Sequence, residues 1–447
     1  MPPGDPHPRA LFSLVPLNAR AEGILTYRDN DRFVSSFPLD KNNPTVKVQG
    51  LDIGINITST SRYTLAILGR QGHIRFDDPG ISPLHCSFEL HKDNREEVML
   101  QDRSLDNSTQ VLGSTAMPFN PGQPHRRVLI DREINLRFGI GGAAHDLYQF
   151  QIRWHDQRND NGVGNPSHAL TIAHEPPTSV SCLPFARIRY SNREPLGSGA
   201  FGEVWKVANV NTGEHLALKR MRRSHNHFDE YSSLKREVDI LSRVSHTNII
   251  KYITSQSADD GRLEIFMELK PGSVQYLIEE HQFFETTPAI AYILLFQMLK
   301  ALDCLANEGM IHRDVKPENI LFTPLSSGDY LYQLADFGLA NMAANAQTYA
   351  GTEPYMAPEV CSGSGQPQTA KMDIWSLFVT AAYAMNAAGY RRKPRRSLEQ
   401  VLKAVGEATM WPRLQMFQEM ASENPDDRAT AGDMLDKVFH GRGRTTS

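Results

Sequence analysis

The hydrophobic pattern of this 447-residue chain changes its period part-way along. From about 46 to 155, runs such as "TVKVQGLDIGINI", "YTLAILG", "HCSFEL" and "LYQFQIRW" alternate apolar with polar residues, and turn residues separate them. A period of two sends alternate side chains to opposite faces of a strand, so this stretch predicts an all-β sandwich. After about residue 227 the pattern becomes mostly helical: in "FDEYSSLKREVDILSRV", Leu234, Val238, Leu241 and Val244 recur at helical spacing. A polar segment rich in Gly, Pro and Asn separates the two regimes and reads as a linker. The expected organisation is an N-terminal segment over 1–45, loosely structured or adding a strand. A sandwich over 46–155, a linker over 156–186, a second domain over 187–440 and a tail over 441–447 follow.

Composition narrows the function classes. Hydrophobic residues make up 40% and charged residues 22%, ordinary for globular domains. The net charge of -4 gives no whole-chain attraction to nucleic acid or to an anionic membrane, so neither is expected as a partner. Cys86, Cys182, Cys304 and Cys361 are far apart, which argues against a disulfide framework or a zinc site. The first residues lack a signal pattern, and Pro2 stands where myristoylation needs glycine. "AIAYILLFQMLKALDCLA" and "IWSLFVTAAYAMNAAGY" are interrupted by polar residues and read as buried helices. A reducing compartment is expected, nuclear or cytoplasmic. "RRKPRR" at 391–396 reads as a solvated or substrate-docking loop, with nuclear import as the alternative.

Four short motifs carry chemistry. Gly197, Gly199 and Gly202 lie between two strand-like runs, where glycine lets backbone N–H groups approach a polyphosphate. Lys219, in the strand "LALK", is a candidate cation for phosphate oxygens, and Glu237 on the following helix is its candidate partner. In "MIHRDVKPENILF", Asp314 would accept or orient the proton of an attacking hydroxyl, Lys316 would neutralise charge on the moving phosphoryl group, and Asn319 would ligate a metal. "LADFGLA" adds Asp336 to bridge magnesium and phosphate. Phosphoryl transfer needs positioning and charge neutralisation more than covalent help, and this set supplies both.

With "APE" at Ala357–Glu359, these motifs stand in an order that resembles the eukaryotic protein kinases of the serine/threonine class, from about 188 to 440. The resemblance implies a two-lobed α+β fold with ATP and Mg2+ in its cleft. It implies an ATP site of Leu196, Gly197, Ser198, Gly199, Ala200, Phe201, Gly202, Val204, Ala217 and Lys219, with a hinge at Met267, Glu268 and Leu269. It further implies a Glu359–Arg428 pair, Asp373 bracing the catalytic loop, and Thr352 contacting Asp314 and Lys316. Arg313 would grip a phosphate on the loop from Asp336 to Glu359, with Thr348 as the acceptor. Phe378 departs from the family's usual glycine.

The β-rich region carries Gly69-Arg70, then Ser82-Pro83-Leu84-His85, then Asp102-Arg103-Ser104 followed by Asn107-Ser108-Thr109. This resembles the forkhead-associated (FHA) domain, a β-sandwich that binds phosphothreonine at its loops. The resemblance implies that Arg70 and Ser82 meet the phosphate, that Asn107 holds the peptide backbone, and that His85 braces the loops. Ser108 replaces the family's glycine, which puts a strained left-handed residue in prospect there.

One FHA domain followed by a kinase is similar to the checkpoint effector kinases of the DNA-damage response. The expected partners are protein substrates, phosphothreonine proteins and, transiently, a second copy of the chain. The alternatives are a phosphothreonine-dependent scaffold with little activity, a kinase of another pathway, and a small-molecule kinase. "GTEPY" before "APE" argues against the last.

Overall fold

The computed structural model describes residues 4–40, 43–120, 126–155, 187–199, 202–221, 244–281, 284, 288–342, 351–362 and 368–446. Ala200, Phe201, Glu237 and Thr348, the linker over 156–186 and most of the helix predicted after 227 lie outside the described residues. The chain divides into two compact units. Of the described residues, the first holds those up to 155 with 187–194 and 206–216; the second holds 195–199, 202–205 and those from 217 on.

The first unit contains two sheets. In spatial order, one sheet is Val34–Asp40, Asn43–Gly54, Ala10–Pro16, Tyr148–Trp154, Arg137–Ile140 and Thr109–Leu112. The other is Ile74–Arg75, Thr64–Gly69, Cys86–Leu90, Val98–Asp102 and Arg127–Ile130. Alternation decides which side chains face inward: Phe12 and Leu14 from the first sheet, and Cys86, Phe88 and Leu100 from the second, are fully buried in one shared core. The Phe12 and Phe88 rings meet edge to face at 5.1 Å, and Phe88 meets Phe138 at 5.5 Å. Phe88 pairs with Ala66 on one side and Leu100 on the other, which fixes the register of the central strand.

The segment before residue 46 is an integral part of this unit. Ala10–Pro16 is an interior strand, paired with Asn43–Gly54 and with Tyr148–Trp154. Val34–Asp40 is the edge strand of the same sheet, beside Asn43–Gly54. The strand beginning at Asn43 also starts three residues before the expected boundary.

Five strands, Tyr190–Ser198, Gly202–Asn209, His215–Met221, Leu263–Glu268 and Tyr252–Ser257, form a further sheet in that order, and the division into units passes through its first three strands. The rest of the second unit is mainly helical. Ala289–Asn307 is apolar enough in length and composition to cross a membrane, yet Leu294, Leu295, Met298, Leu299, Leu302 and Leu305 line the core of the unit. Lys371–Ala384 is buried on nearly every side, which is why its sequence is apolar all round. Phe378 is fully buried in that core.

Candidate active site and a second set of loops

In the second unit, the turn between Met310–Ile311 and Ile320–Pro324 gathers the polar residues of "HRDVKPEN". Asp373, buried in its helix, accepts the backbone N–H groups of His312 at 2.7 Å and Arg313 at 2.8 Å. Burial pushes the Asp373 carboxyl up to about 7, against the pull of those two donors. The anchoring holds Arg313 in a left-handed conformation at φ 73°, an uncommon state for a side chain of its size. His312 is fully buried and its ring meets Phe337 edge-on at 4.8 Å. Burial lowers its pKa, so the ring is neutral: Nδ1 accepts from the Asp314 N–H and Nε2 donates to the Ala335 carbonyl at 3.0 Å.

Asp314 stands at the centre of this arrangement. Its Oδ2 accepts from Lys316 Nζ at 2.7 Å and from Asn319 Nδ2 at 2.9 Å. Its Oδ1 accepts from Thr352 Oγ1 at 2.7 Å, and Thr352 Oγ1 in turn accepts from Lys316 Nζ at 2.7 Å. The structure thus brings together Asp314, Lys316, Asn319 and Thr352. Lys219, itself buried, lies 2.8 Å from Asp336. Burial alone would raise the Asp336 carboxyl, but the Lys219 ammonium outweighs it and holds the group below its usual range. Asp336 sits at φ 62° and its carboxylate caps the Gly338 N–H.

Glycines near the strand Gly202–Asn209 separate into two kinds. A Cβ on Gly202 would lie 2.3 Å from the Arg220 carbonyl oxygen, so close packing demands glycine there. At Gly197 and Gly199 no atom of the described residues lies within 4 Å of a built Cβ. Among the described residues no packing requires glycine at those two positions, whereas a polyphosphate lying on the backbone would. Leu196 is exposed, Val204 half-buried and Ala217 buried. Met267 pairs with Tyr252 in the neighbouring strand, Glu268 donates its N–H to the Lys251 carbonyl, and Leu269 follows at the strand's end.

Among the described residues, no group of three or more His, Cys, Asp or Glu converges as a metal site. The donor set is sparser. Asp336 offers a carboxylate, and Asn319 commits its amide nitrogen to Asp314, which leaves its amide oxygen as the atom able to ligate. Such a set fits magnesium, which keeps water and phosphate oxygens as its other ligands. Away from these groups, Arg428 is almost fully buried and grips both Glu359 oxygens at 2.7 and 2.9 Å.

In the first unit, the loops after Thr64–Gly69, before Cys86–Leu90 and after Val98–Asp102 hold the second candidate set. A Cβ on Gly69 would lie 2.4 Å from the Pro83 carbonyl oxygen, so only glycine lets the loops meet. Arg70 is exposed; its Nε donates to the Ile81 carbonyl at 2.7 Å and its N–H to the Ser82 carbonyl at 3.2 Å. His85 is fully buried and ties two loops: Nδ1 accepts the Ser82 N–H at 3.1 Å, and Nε2 meets Ser108 Oγ at 3.3 Å. Burial lowers its pKa, consistent with a neutral brace.

The left-handed residue of the third loop is Asn107, at φ 55°, and not Ser108. Asparagine tolerates that conformation well, so the strain expected of the Ser108 replacement does not arise. Ser108 is instead buried, with its N–H on Ser104 Oγ and its hydroxyl on Asp106. Sequence reasoning missed Arg126, which holds Asp102 at 2.9 Å and reaches the Asn107 and Thr109 carbonyls. Nothing in its local sequence marks it, because its partners lie some twenty residues away.

Residues 190–440 match the protein kinase domain family, over half of the chain. Among curated relatives, the MAP3K epsilon protein kinase 1 of Arabidopsis thaliana is 32% identical over 43% of this chain and 14% of its own length. The cell division control protein 7 of Schizosaccharomyces pombe is 34% identical over 46% of this chain and 19% of its own length. A probable serine/threonine-protein kinase of Dictyostelium discoideum is 32% identical over 55% of this chain and 50% of its own length. The chain thus spans half or less of these relatives. With the motif order, the Asp314 constellation and these matches in agreement, the chain belongs to the protein kinase family.

Proposed function

We propose that this chain transfers the γ-phosphoryl group of ATP to serine and threonine hydroxyls of proteins, directed by phosphothreonine binding at an FHA-type sandwich. The observation that carries the transfer is the Asp314 carboxylate, fixed by Lys316, Asn319 and Thr352. In this reading Asp314 takes the proton of the substrate hydroxyl as its oxygen bonds to the γ-phosphorus, the bond to the ADP oxygen breaks, and Lys316 offsets the charge of the moving group. Lys219 holds the α- and β-phosphates, Gly197, Ser198, Gly199 and Gly202 carry the backbone over them, and Leu196, Val204, Ala217 and the Met267–Leu269 hinge flank the base. Asn319 and Asp336 would hold magnesium, which when bound neutralises phosphate charge. The test is transfer from ATP to a peptide library by wild type and by Asp314→Ala. Loss of about a thousandfold or more in the variant is expected; no transfer by wild type refutes the reading, and intact lysine, aspartates and asparagine weigh against a scaffold without activity.

The phosphothreonine reading is supported by three residues on adjoining loops, Arg70, Ser82 and Asn107, that His85 and Ser108 tie together. An exposed guanidinium tethered at Nε to the carbonyl of the residue before Ser82 suits a phosphate. Arg70→Ala should weaken phosphothreonine peptides by at least about tenfold in direct titration, a loss typical of a charge-assisted contact; equal affinity refutes it. Binding of this kind raises the local concentration of phosphorylated partners, a second copy included, and suits signalling of the checkpoint type.

A further inference from the structure

The strands that flank the glycine-rich loop have ends that fold in the first unit. Residues 187–194 and 206–216 belong to it. Ala208 and Val210 are fully buried in the core of the sandwich, and Leu129 of its outer strand donates its N–H to the Val210 carbonyl at 2.8 Å. Gly213 comes so close that a Cβ there would lie 2.8 Å from Met99 Sδ and 2.9 Å from His91 Cδ2. Asn94 donates its side-chain amide to the Gly213 carbonyl at 3.0 Å.

Glu97 is the centre of this contact. It is 5% exposed, yet no motif and no proposed catalytic role accounts for it. Arg193 donates to both its oxygens, Nε at 2.6 Å and Nη2 at 2.7 Å, and His215 Nε2 lies 2.8 Å from Oε1. Arg193 Nη1 also reaches Asp131 at 3.1 Å, and Ser191 donates to the same Asp131 oxygen at 2.7 Å. Arg193 stands three residues before Leu196 in the strand that enters the loop, and His215 stands four before Lys219 in its strand.

We infer that Glu97 is a positioning residue for ATP: through Arg193 and His215 it fixes the strand entering the glycine-rich loop and the strand bearing Lys219. A bidentate carboxylate–guanidinium pair shielded from water allows little angular freedom. Strands fixed beforehand have less freedom to lose when the loop closes on a nucleotide, so the gain falls on nucleotide affinity. Glu97 itself touches no reacting group in this scheme.

The inference rests on ATP being the nucleotide, and the test reads ATP binding without any peptide. Full-length wild type, Glu97→Ala and Glu97→Gln are titrated with ATP and magnesium by calorimetry, with amide hydrogen exchange followed over 189–194 and 206–216. Glu97→Ala should bind ATP about tenfold more weakly, with faster exchange in both segments, because the ordering cost is then met on binding. The loss should appear in affinity and not in turnover at saturating ATP. Glu97→Gln, which keeps size and one acceptor oxygen, should fall between. Faster exchange with unchanged ATP affinity overturns the inference, since the contact would then serve stability alone; unchanged exchange overturns it as well. Should Glu97→Ala fail to fold, wild-type ATP affinity in Glu97→Gln overturns it. Wild type that binds ATP but phosphorylates no peptide would count against the proposed kinase activity, not against this inference.

Discussion

At Thr352 one hydroxyl does two things: it donates to Asp314 Oδ1 and accepts from Lys316 Nζ, each at 2.7 Å. The hydroxyl therefore sets both the direction of the Asp314 carboxylate and the place of the Lys316 ammonium. Replacing it by a methyl leaves Asp314 Oδ1 without that donor and frees the lysine to follow Asp314 Oδ2 alone. Thr352→Ala is expected to lower kcat by about ten- to a hundredfold, the usual range for disturbing a positioned proton acceptor. KM for ATP should stay within about twofold, because the Lys219–Asp336 pair is untouched; Thr352→Ser should retain most of the activity. Steady-state kinetics on one peptide decides, and wild-type kcat in Thr352→Ala refutes the role. The two buried histidines follow a similar logic. His85 and His312 are neutral because burial penalises their charged forms, and each accepts a backbone N–H at Nδ1 while Nε2 faces a further partner.

Helix Lys371–Ala384 shows what an element adds. Asp373 in its first turn braces the catalytic loop, and Phe378 fills the core further along. The large side chain in place of the family's usual glycine is thus packed rather than exposed. Phe378→Ala should cost about 3–5 kcal/mol, the range for deleting a buried ring. Chemical denaturation measures this, and a loss under about 1 kcal/mol would mean that the core closes over the site. The basic run that follows the helix is also committed inward at alternate positions. Arg391 donates to the Tyr383 and Ala384 carbonyls, Lys393 pairs with Glu407, and Arg395 stacks on Tyr390 at 5.0 Å. This leaves Arg392 and Arg396 outward. Alternating strands, apolar helices and the Asp314 motif were legible in the sequence because short-range spacing encodes them. Ala10–Pro16 was only half legible, since its terminal proline and short apolar run also suit a loose segment, and its partners lie some forty and one hundred and forty residues on. Arg126 and Glu97 were not legible, because pairs closed over long separations leave no local pattern.

For the molecule as a whole, the boundary of the family and the boundary of the fold differ. The family match begins at residue 190, while 187–194 and 206–216 fold with the sandwich. The Glu97 cluster that joins them has a signature in acid. Burial alone would raise the Glu97 carboxyl, but hydrogen bonds from His215 and Arg193 outweigh it and bring the group from its ordinary 4.5 down to about 2. A carboxylate depressed in the folded state adds stability that is fully present above the unfolded pKa and lost as pH falls through the folded one. In that window the unfolded chain binds more protons, so stability falls on acidification. The depression corresponds to about 3 kcal/mol, lost between about pH 4.5 and 2. The groups facing Glu97 are Arg193, which stays charged throughout, and His215, with Asp131 on the far side of Arg193. Glu97→Gln has no proton to gain there, so its urea midpoint should fall less steeply than that of the wild type between pH 5 and 3. Equal slopes in the two proteins would show that Glu97 carries no depressed pKa and that the Arg193 pair is no stronger than an exposed one.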